Sequence, residues 1–432
     1  MSYAYFGLVQ LMHRSMKFPV ADDMIENLIE KGAIKIPLAV TQEKIDEIME
    51  YAGNGVEKFL PVVFGASPSH FKDAEVRVKV FVDELKFVDN FKLRLASGEK
   101  LSLNIHKEAA SDELDVTLLI DERNDINISA LKAILRENIG KALRTIYFEK
   151  IFPSAMFASA ERTGTLMFRD DLAPGRRGSD LREYLTKDYE DIDLMVSDIS
   201  ANIYPLPVIE NIGFMKQLRG ISMKESALAR DYPELLSAFD RISGGVYTVD
   251  DKGVYFTPSD NGSVNLAMEE SSSSVRSLVG LSFWMRHLAR KEYLLMIDEP
   301  EMNLHPKSQR LLARWIAMLV NVGVRVFVTT HSDYFVKELN TLIMLNHKRE
   351  SAYIKEIMRE EGILPSMLIE PDKMKVYVAA REHVMDDSGR RSLGKTTITE
   401  APIDDFYGVA VSSFDDTINR INNLQEAIIF NG

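Results

Sequence analysis

The sequence contains no cysteine. Disulfides, thiolate metal sites and cysteine nucleophiles are therefore excluded, and the composition suits a reducing cytoplasm. No apolar run is long enough to span a bilayer, so no membrane partner is expected. The opening stretch SYAYFGLVQLMHR has no basic region ahead of its apolar part and no small-residue cleavage site, so a signal peptide is not expected. Positive charge is also in short supply: 52 Lys and Arg stand against 65 Asp and Glu, a net charge of −13. A chain this acidic cannot coat nucleic acid with its whole surface, which leaves only a local basic face for that role. What is present is 46% hydrophobic and 27% charged residues over 432 positions, the profile of a soluble globular chain of two or three units.

Along the chain, residues 2–16 read as a helix apolar on most sides, and residues 41–64 as another. The run EVRVKVFVDELKF (Glu75–Phe87) opens a series of period-two alternations, continued by FKLRLAS, KLSLNIHK and LDVTLLI. Such runs separated by Gly, Asp and Asn predict an antiparallel meander. Residues 128–150 return to helix, and Arg169–Glu183 is a polar, Gly- and Pro-bearing loop. Helices are predicted near 207–218 and 222–242, then short strands around GGVYTVDDKGVYFTPSDNGSVNLAM. From Ser271 to about Leu345 the pattern is helix, strand, helix, strand, helix, which is a parallel α/β arrangement. The tail returns to strands at KMKVYVAA and TTITEAPI and ends in the helix SFDDTINRINNLQEAII.

The segment YLLMIDEPEMNLHP (Tyr293–Pro306) concentrates the chemistry. Leu294 to Ile297 make a short buried strand that ends in two adjacent carboxylates, Asp298 and Glu299. Ligands of α/β sheets bind at the carboxyl ends of strands. One carboxylate there suits Mg²⁺, which favours oxygen and keeps several waters, and the next can accept a proton from an attacking water. A solvated strand end reads equally well from this pair alone. Thirty-three residues beyond Asp298, a second apolar strand, Val324 to Val328, ends in Thr329, Thr330, His331 and Ser332. His331 beside a D-E strand end can contact a terminal phosphate; Ser332 or Asp333 can cap the next helix. Upstream, four serines open a helix with Val275, Leu278, Val279, Leu281 and Phe283 as its apolar positions. Serine caps a helix, and the free N–H groups at a helix start bind anions.

Together these segments resemble the nucleotide-binding head of ABC/SMC-like ATPases, in the branch described as AAA family ATPase, with RecF and OLD proteins as relatives. SSSSVRSL resembles the signature motif, LLMIDEPE the Walker B strand, NLHP the D-loop and TTHSDYFVKEL the switch-histidine segment. FASAERTG (Phe157–Gly164), GGVYTVDDKGVYF and the tail strands match more loosely. The resemblance implies a P-loop NTPase fold: an α/β head with a parallel-sheet core, an antiparallel β subdomain and a helical insertion. It implies ATP and Mg²⁺ as cofactors, with Asp298 serving the metal, Glu299 as catalytic base and His331 on the γ-phosphate. Ser272, Ser273 and Ser274, with Arg276 behind them, would meet the γ-phosphate held by a partner head, so a homodimer or heterodimer is implied. The corresponding organisation is 1–74 for the start of the ATPase core and a helical segment, and 75–125 for the antiparallel β subdomain. Residues 126–270 form a helical, signature-side subdomain, 271–345 the ATPase core proper, and 346–432 the strands and helix that complete it.

One element of that family is missing. GRRSLGKT (Gly389–Thr396) fits the phosphate-loop pattern G-x-x-x-x-G-K-[ST], but a working loop needs a buried strand before it and a helix starting at its lysine. The nearest apolar run ends at Ala380, the stretch after Lys395 is the strand-favouring TTITEAPI, and Pro402 would break a helix there. The segment also comes after the switch histidine, in the wrong chain order. Gly389–Gly394 is therefore read as a connection between two strands. The start of the chain resembles the helix that comes after the phosphate loop in this family. The expectation is a chain beginning just after that loop, through a misplaced start codon or truncated gene, or else a subunit that lends its signature to an intact partner. Either implies weak or absent ATP hydrolysis by this chain alone.

OLD-like relatives carry a nuclease domain, and the candidate acids here are Glu370, Asp372, Asp386 and Asp387. Too little chain remains for a whole domain, so an effector is expected to be a separate chain, with DNA as a further partner. Arg162, Arg176 and Arg177 are candidates for a phosphate or DNA contact. Two function classes stand: an ATPase head gating a partner in a DNA-linked or anti-phage defence complex, and a degenerate head serving as a scaffold.

Overall fold

A computed structural model of the chain describes residues 2–14, 18, 20–97, 101–120, 127–169, 171, 204–382, 395–404, 406, 408–409, 420 and 423–426. It divides into two compact units. The first comprises Met1–Phe157, Phe168–Lys216 and Glu292–Leu294; the second comprises Ala158–Met167, Gln217–Lys291 and Leu295–Gly432.

The first unit opens with α1 (Ser2–Arg14), whose Phe6, Val9, Leu11 and Met12 are all buried. Helix α2 (Asp22–Lys31) buries Ile25 and Leu28 and stops at Gly32, which adopts the left-handed conformation that ends helices. Strand β1 (Ala33–Pro37) leads to α3 (Gln42–Phe64), capped by the Thr41 side chain, which accepts from the Lys44 amide. Helices α1 and α3 come close at Gly7, where a Cβ would stand 2.6 Å from Val63 Cγ2. Strands β2 (Phe91–Ser97), β3 (Leu101–Lys107) and β4 (Glu113–Ile120) form the expected antiparallel meander. The sheet order is β1-β4-β3-β2; its short edge strand β1 is not one of the four runs expected. Leu103, Ile105, Leu114, Val116 and Leu118 alternate inward, and α4 (Ile128–Phe148) adds Leu131, Leu135, Ile139, Leu143 and Ile146 on one stripe.

Glu75–Phe87 does not join this sheet. Its only regular element is a short 3₁₀ turn at Val82–Glu84. The reason lies on α3, whose side chains occupy the hydrogen-bonding positions a neighbouring strand would use. Gln42 donates to the Val80 carbonyl at 3.0 Å and accepts from the Val82 amide at 2.9 Å, and Glu57 accepts from the Val76 amide at 2.8 Å. The alternation is real, but the partner is a helix.

Strand β5 (Ala155–Ala158) carries the chain into the second unit, where α5 (Arg162–Met167) lies; the chain returns to the first for α6 (Leu206–Lys216). After a short α7 (Leu218–Ser222), the helix expected near 222–242 is two shorter ones, α8 (Ala227–Asp231) and α9 (Pro233–Ser243). Ser226 caps α8 while its hydroxyl donates to the Ala289 carbonyl, and Pro233 begins α9, so the breaks have identifiable causes. A small antiparallel sheet, β6 (Gly245–Val249), β7 (Val254–Pro258) and β8 (Leu266–Ala267), precedes α10 (Ser273–His287).

Then come β9 (Leu294–Asp298), α11 (Pro306–Asn321), β10 (Arg325–Thr329) and α12 (Asp333–His347). Strands β9 and β10 are neighbours in one sheet. The Glu299 amide donates to the Thr329 carbonyl at 3.0 Å, so both strands end at the same edge and run parallel, as a helical crossover requires. Around them Trp284 and Trp315 are wholly buried; Trp315 packs on Phe239 at 4.9 Å and donates to the Leu235 carbonyl. Helices α11 and α12 are clamped by a buried carboxylate, Glu338, which accepts from both Arg310 and Arg314. After α13 (Ala352–Glu360), β11 (Val376–Glu382) and β12 (Lys395–Ala401) pair with each other in a sheet of their own. The hairpin β13 (Ile403–Asp404) and β14 (Gly408–Val409) is tied to α12 by Asn340, whose amide bonds both polar groups of the Val409 backbone. Most of the expected terminal helix, most of the loop Arg169–Glu183, and Gly389–Gly394 lie outside the described residues.

Candidate functional site

Four buried apolar residues make β9 a strand, and the chain turns sharply as soon as they end. Glu299 has φ +47° and Asn303 φ +62°, both in the left-handed region. For a residue with a Cβ this costs about 1 kcal/mol or more, so surrounding contacts must hold it. Arg162 supplies several of them. It is 4% exposed, and it donates to the Asp298 carbonyl at 2.9 Å and the Glu299 carbonyl at 2.8 Å. The same guanidinium donates to the Ser159 carbonyl at 3.1 Å and, from Nε, to the Ser277 carbonyl of α10 at 3.2 Å. Burial pulls its pKa down to about 10, while the carboxylates of Glu301, Asp298 and Glu299 push it back up. Arg162 is therefore charged at neutral pH, and it is a buried tether rather than the surface phosphate or DNA contact expected from the sequence. Arg176 and Arg177 lie outside the described residues.

The end of β10 is bonded to this turn residue by residue. The Thr329 hydroxyl donates to the Asp298 carboxylate. The Thr330 hydroxyl donates to Glu301 Oε2 at 2.9 Å, and the His331 amide donates to Glu301 Oε1 at 2.6 Å. Ser332 caps α12, accepting from the Phe335 amide at 3.1 Å, and its hydroxyl donates to Gln309 at 2.5 Å. Gln309 in turn donates to the Leu304 carbonyl at 2.9 Å. The His331 side chain is exposed. Asp298 and Glu299 thus end one strand, His331 follows the end of its neighbour, and the two ends are hydrogen-bonded through Thr329 and Glu301.

The serine segment begins α10. Ser272 is the cap, accepting from the Val275 amide at 3.3 Å, and its hydroxyl lies 2.8 Å from that of Ser274. Ser272 and Ser273 are exposed. Arg276 folds back on the segment, donating to the Ser271 carbonyl at 2.6 Å, the Met268 carbonyl at 3.3 Å and Ser273 Oγ at 3.3 Å. It braces the entry to the helix. Tyr247 supports the same turn, donating to the Val275 carbonyl at 2.7 Å from a site whose burial raises the phenol pKa.

Sequence reasoning gives no role to Glu301, Gln309 or Thr329. Glu301 stands two residues past Glu299, and only the turn reveals that it faces the other strand end. Of the other acids, Glu370 pairs with Lys373 at 3.3 Å next to the 3₁₀ turn that holds Asp372, while Asp386 and Asp387 lie outside the described residues. Among the described residues no group of three or more His, Cys, Asp or Glu could hold a metal ion. A single carboxylate such as Asp298 still fits Mg²⁺, which is held mostly by phosphate and water. Lys395 and Thr396 begin β12, paired with Glu382 and Arg381, and no helix starts at that lysine.

Residues 175–336 match the family model described as AAA ATPase domain. The match spans α10, both parallel strands, the turn after Asp298 and His331, and it supports an AAA-type ATPase domain with nucleotide binding or hydrolysis as its activity. No curated protein matches the chain. Among the described residues no helix is long and apolar enough to cross a membrane.

Proposed function

We propose that Ser271–Leu345 is the catalytic half of an ABC/SMC-like nucleotide head of the RecF/OLD-like branch, acting on Mg²⁺·ATP. The observation that carries this reading is the shared strand edge at which Asp298 and Glu299 are hydrogen-bonded to Thr329, and Glu301 to the His331 amide. When bound, Mg²⁺·ATP supplies a terminal phosphate whose charge the metal neutralises. Asp298 is the residue to hold that metal, already oriented by Thr329. Glu299 takes the proton of an attacking water, and its strained turn is held by Arg162 and the Thr329 carbonyl. His331 contacts the terminal phosphate from an amide fixed by Glu301. No G-x-x-x-x-G-K-[ST] run leads into a helix among the described residues, so hydrolysis by this chain alone is expected to be weak or absent.

On this reading Ser272, Ser273 and Ser274, braced by Arg276, face the terminal phosphate held by a second head. The product is a nucleotide-dependent homodimer or heterodimer that gates a separate effector, such as a nuclease chain, in a DNA-linked or defence complex. The test is titration of Mg²⁺·ATP into the full chain, read by calorimetry and by sedimentation velocity. Weak, Mg²⁺-dependent binding lost in Asp298→Ala, with association lost in Ser273→Arg, is the expected result. Binding indifferent to Asp298→Ala overturns the site, and absence of both binding and association leaves the scaffold reading. Steady turnover abolished by Glu299→Gln would overturn the claim that the phosphate grip is missing.

A further inference from the structure

Three acids stand at the end of β9 and just beyond it, and the third has a different employment from the first two. Both carboxylate oxygens of Glu301 are engaged by the end of β10: Oε1 by the His331 amide at 2.6 Å and Oε2 by the Thr330 hydroxyl at 2.9 Å. A carboxylate so occupied is poorly placed to act as a base or a metal ligand; its effect is on where its donors sit. The donors are the histidine assigned to the phosphate and the residue before it.

The connection closes into a ring. The Thr330 hydroxyl, while donating to Glu301, accepts from the Ser332 amide at 3.0 Å. The Ser332 hydroxyl donates to Gln309, and Gln309 donates to the Leu304 carbonyl. The Leu304 amide returns to the Glu301 carbonyl at 3.0 Å. The loop after β9 and the loop after β10 therefore share one hydrogen-bonded circuit, with Glu301 in it twice, once by backbone and once by side chain. On its other side Glu301 is the carboxylate acting most strongly on the buried charge of Arg162.

We propose that Glu301 is the positioning residue of this site: its carboxylate fixes the switch histidine relative to the Asp298–Glu299 pair, so that a terminal phosphate engaging His331 is felt through the turn Glu299–Leu304. The functional half of this statement rests on the nucleotide reading above; the geometric half does not. Loss of the carboxylate frees the His331 amide and the Thr330 hydroxyl together, whereas glutamine keeps an oxygen for the amide and an NH₂ for the hydroxyl.

The experiment is backbone amide exchange by NMR on the full chain labelled with ¹⁵N-histidine. Eight histidines give a tractable set of signals, and His331→Gln assigns the one of interest. The expected result is a protected, downfield His331 amide despite its exposed side chain, exchanging about 10- to 100-fold faster in Glu301→Ala, the factor for losing one charge-assisted bond. Glu301→Gln should restore most of the protection. Unchanged exchange in the alanine variant, no rescue by glutamine, or equal acceleration of all the histidine amides overturns the proposal. In a second arm, Mg²⁺·ATP should move the His331 signal in the wild type and in Glu301→Gln, and not in Glu301→Ala. If it moves no signal in any of the three, the nucleotide reading fails while the exchange data still decide the positioning role.

Discussion

Replacing Arg162 by methionine keeps most of the side chain's length and removes its charge and its donors. Four carbonyls then lose a partner: Ser159, Ser277, Asp298 and Glu299. Each buried acceptor left unsatisfied costs about 1–3 kcal/mol. Three of them retain another donor: the Glu299 carbonyl accepts from the Met302 amide, the Ser159 carbonyl from the Arg162 amide, and the Ser277 carbonyl, inside α10, from the amide one helical turn on. Against this stands a gain: burial lowers the guanidinium pKa to about 10, equivalent to about 3 kcal/mol of penalty on the charged form that methionine does not carry. The four lost bonds to a charged donor are worth about 1.5–3 kcal/mol each, which outweighs that gain and leaves a net loss of about 3 kcal/mol or more. The chain has two tryptophans, Trp284 and Trp315, both fully buried and both in the second unit. Their fluorescence during urea unfolding therefore reports the unit that contains Arg162. Arg162→Met should unfold at clearly lower denaturant, and Arg162→Lys should fall between, since an ammonium offers its donors from a single point. A methionine variant within about 0.5 kcal/mol of wild type, the range typical of surface changes, would refute the tether.

Two more outcomes concern buried groups. Glu338→Ala strands Arg314 and should cost about 3–5 kcal/mol by the same fluorescence, whereas the double change Glu338→Leu with Arg314→Met should cost much less; equal losses would show that the ion cluster is incidental. His13, whose ring bonds the Phe152 carbonyl at 2.8 Å, is held below its ordinary pKa by burial, with Glu149 opposing. Its folded form takes up a proton less readily than the unfolded chain, so stability is present above about pH 6.5 and is lost on acidification below it. Urea unfolding monitored by circular dichroism across that range should show a shallower pH slope in His13→Gln; identical slopes would count against it.

The elements that sequence predicts well are those whose partners are close by or whose pattern admits one answer. Leu294–Ile297 and Val324–Val328 are short apolar runs that end in polar residues with a helix between them, and a parallel pair is the ready way to bury both. Glu75–Phe87 fails for the opposite reason. Its alternation is correct, but alternation marks an extended chain with one covered side and says nothing of what covers it; Gln42 and Glu57, which bond it, are 19 to 40 residues away. The site shows the same division. Asp298, Glu299 and His331 can be proposed from sequence because chemistry at strand ends limits the choices. Arg162 and Glu301 act through bonds to backbone amides and carbonyls, groups that nearly every residue carries and that leave no letter in the sequence.

Arg162 lies 115 to 137 positions before three of the four carbonyls it holds. During synthesis it must wait on the ribosome, a cation with nowhere to go, until Glu299 has emerged. The stretch recognised by the family model begins at residue 175, so an expression fragment trimmed to that match would leave the arginine behind. Its turn at Glu299 would then have to hold a left-handed backbone without the bolt that secures it.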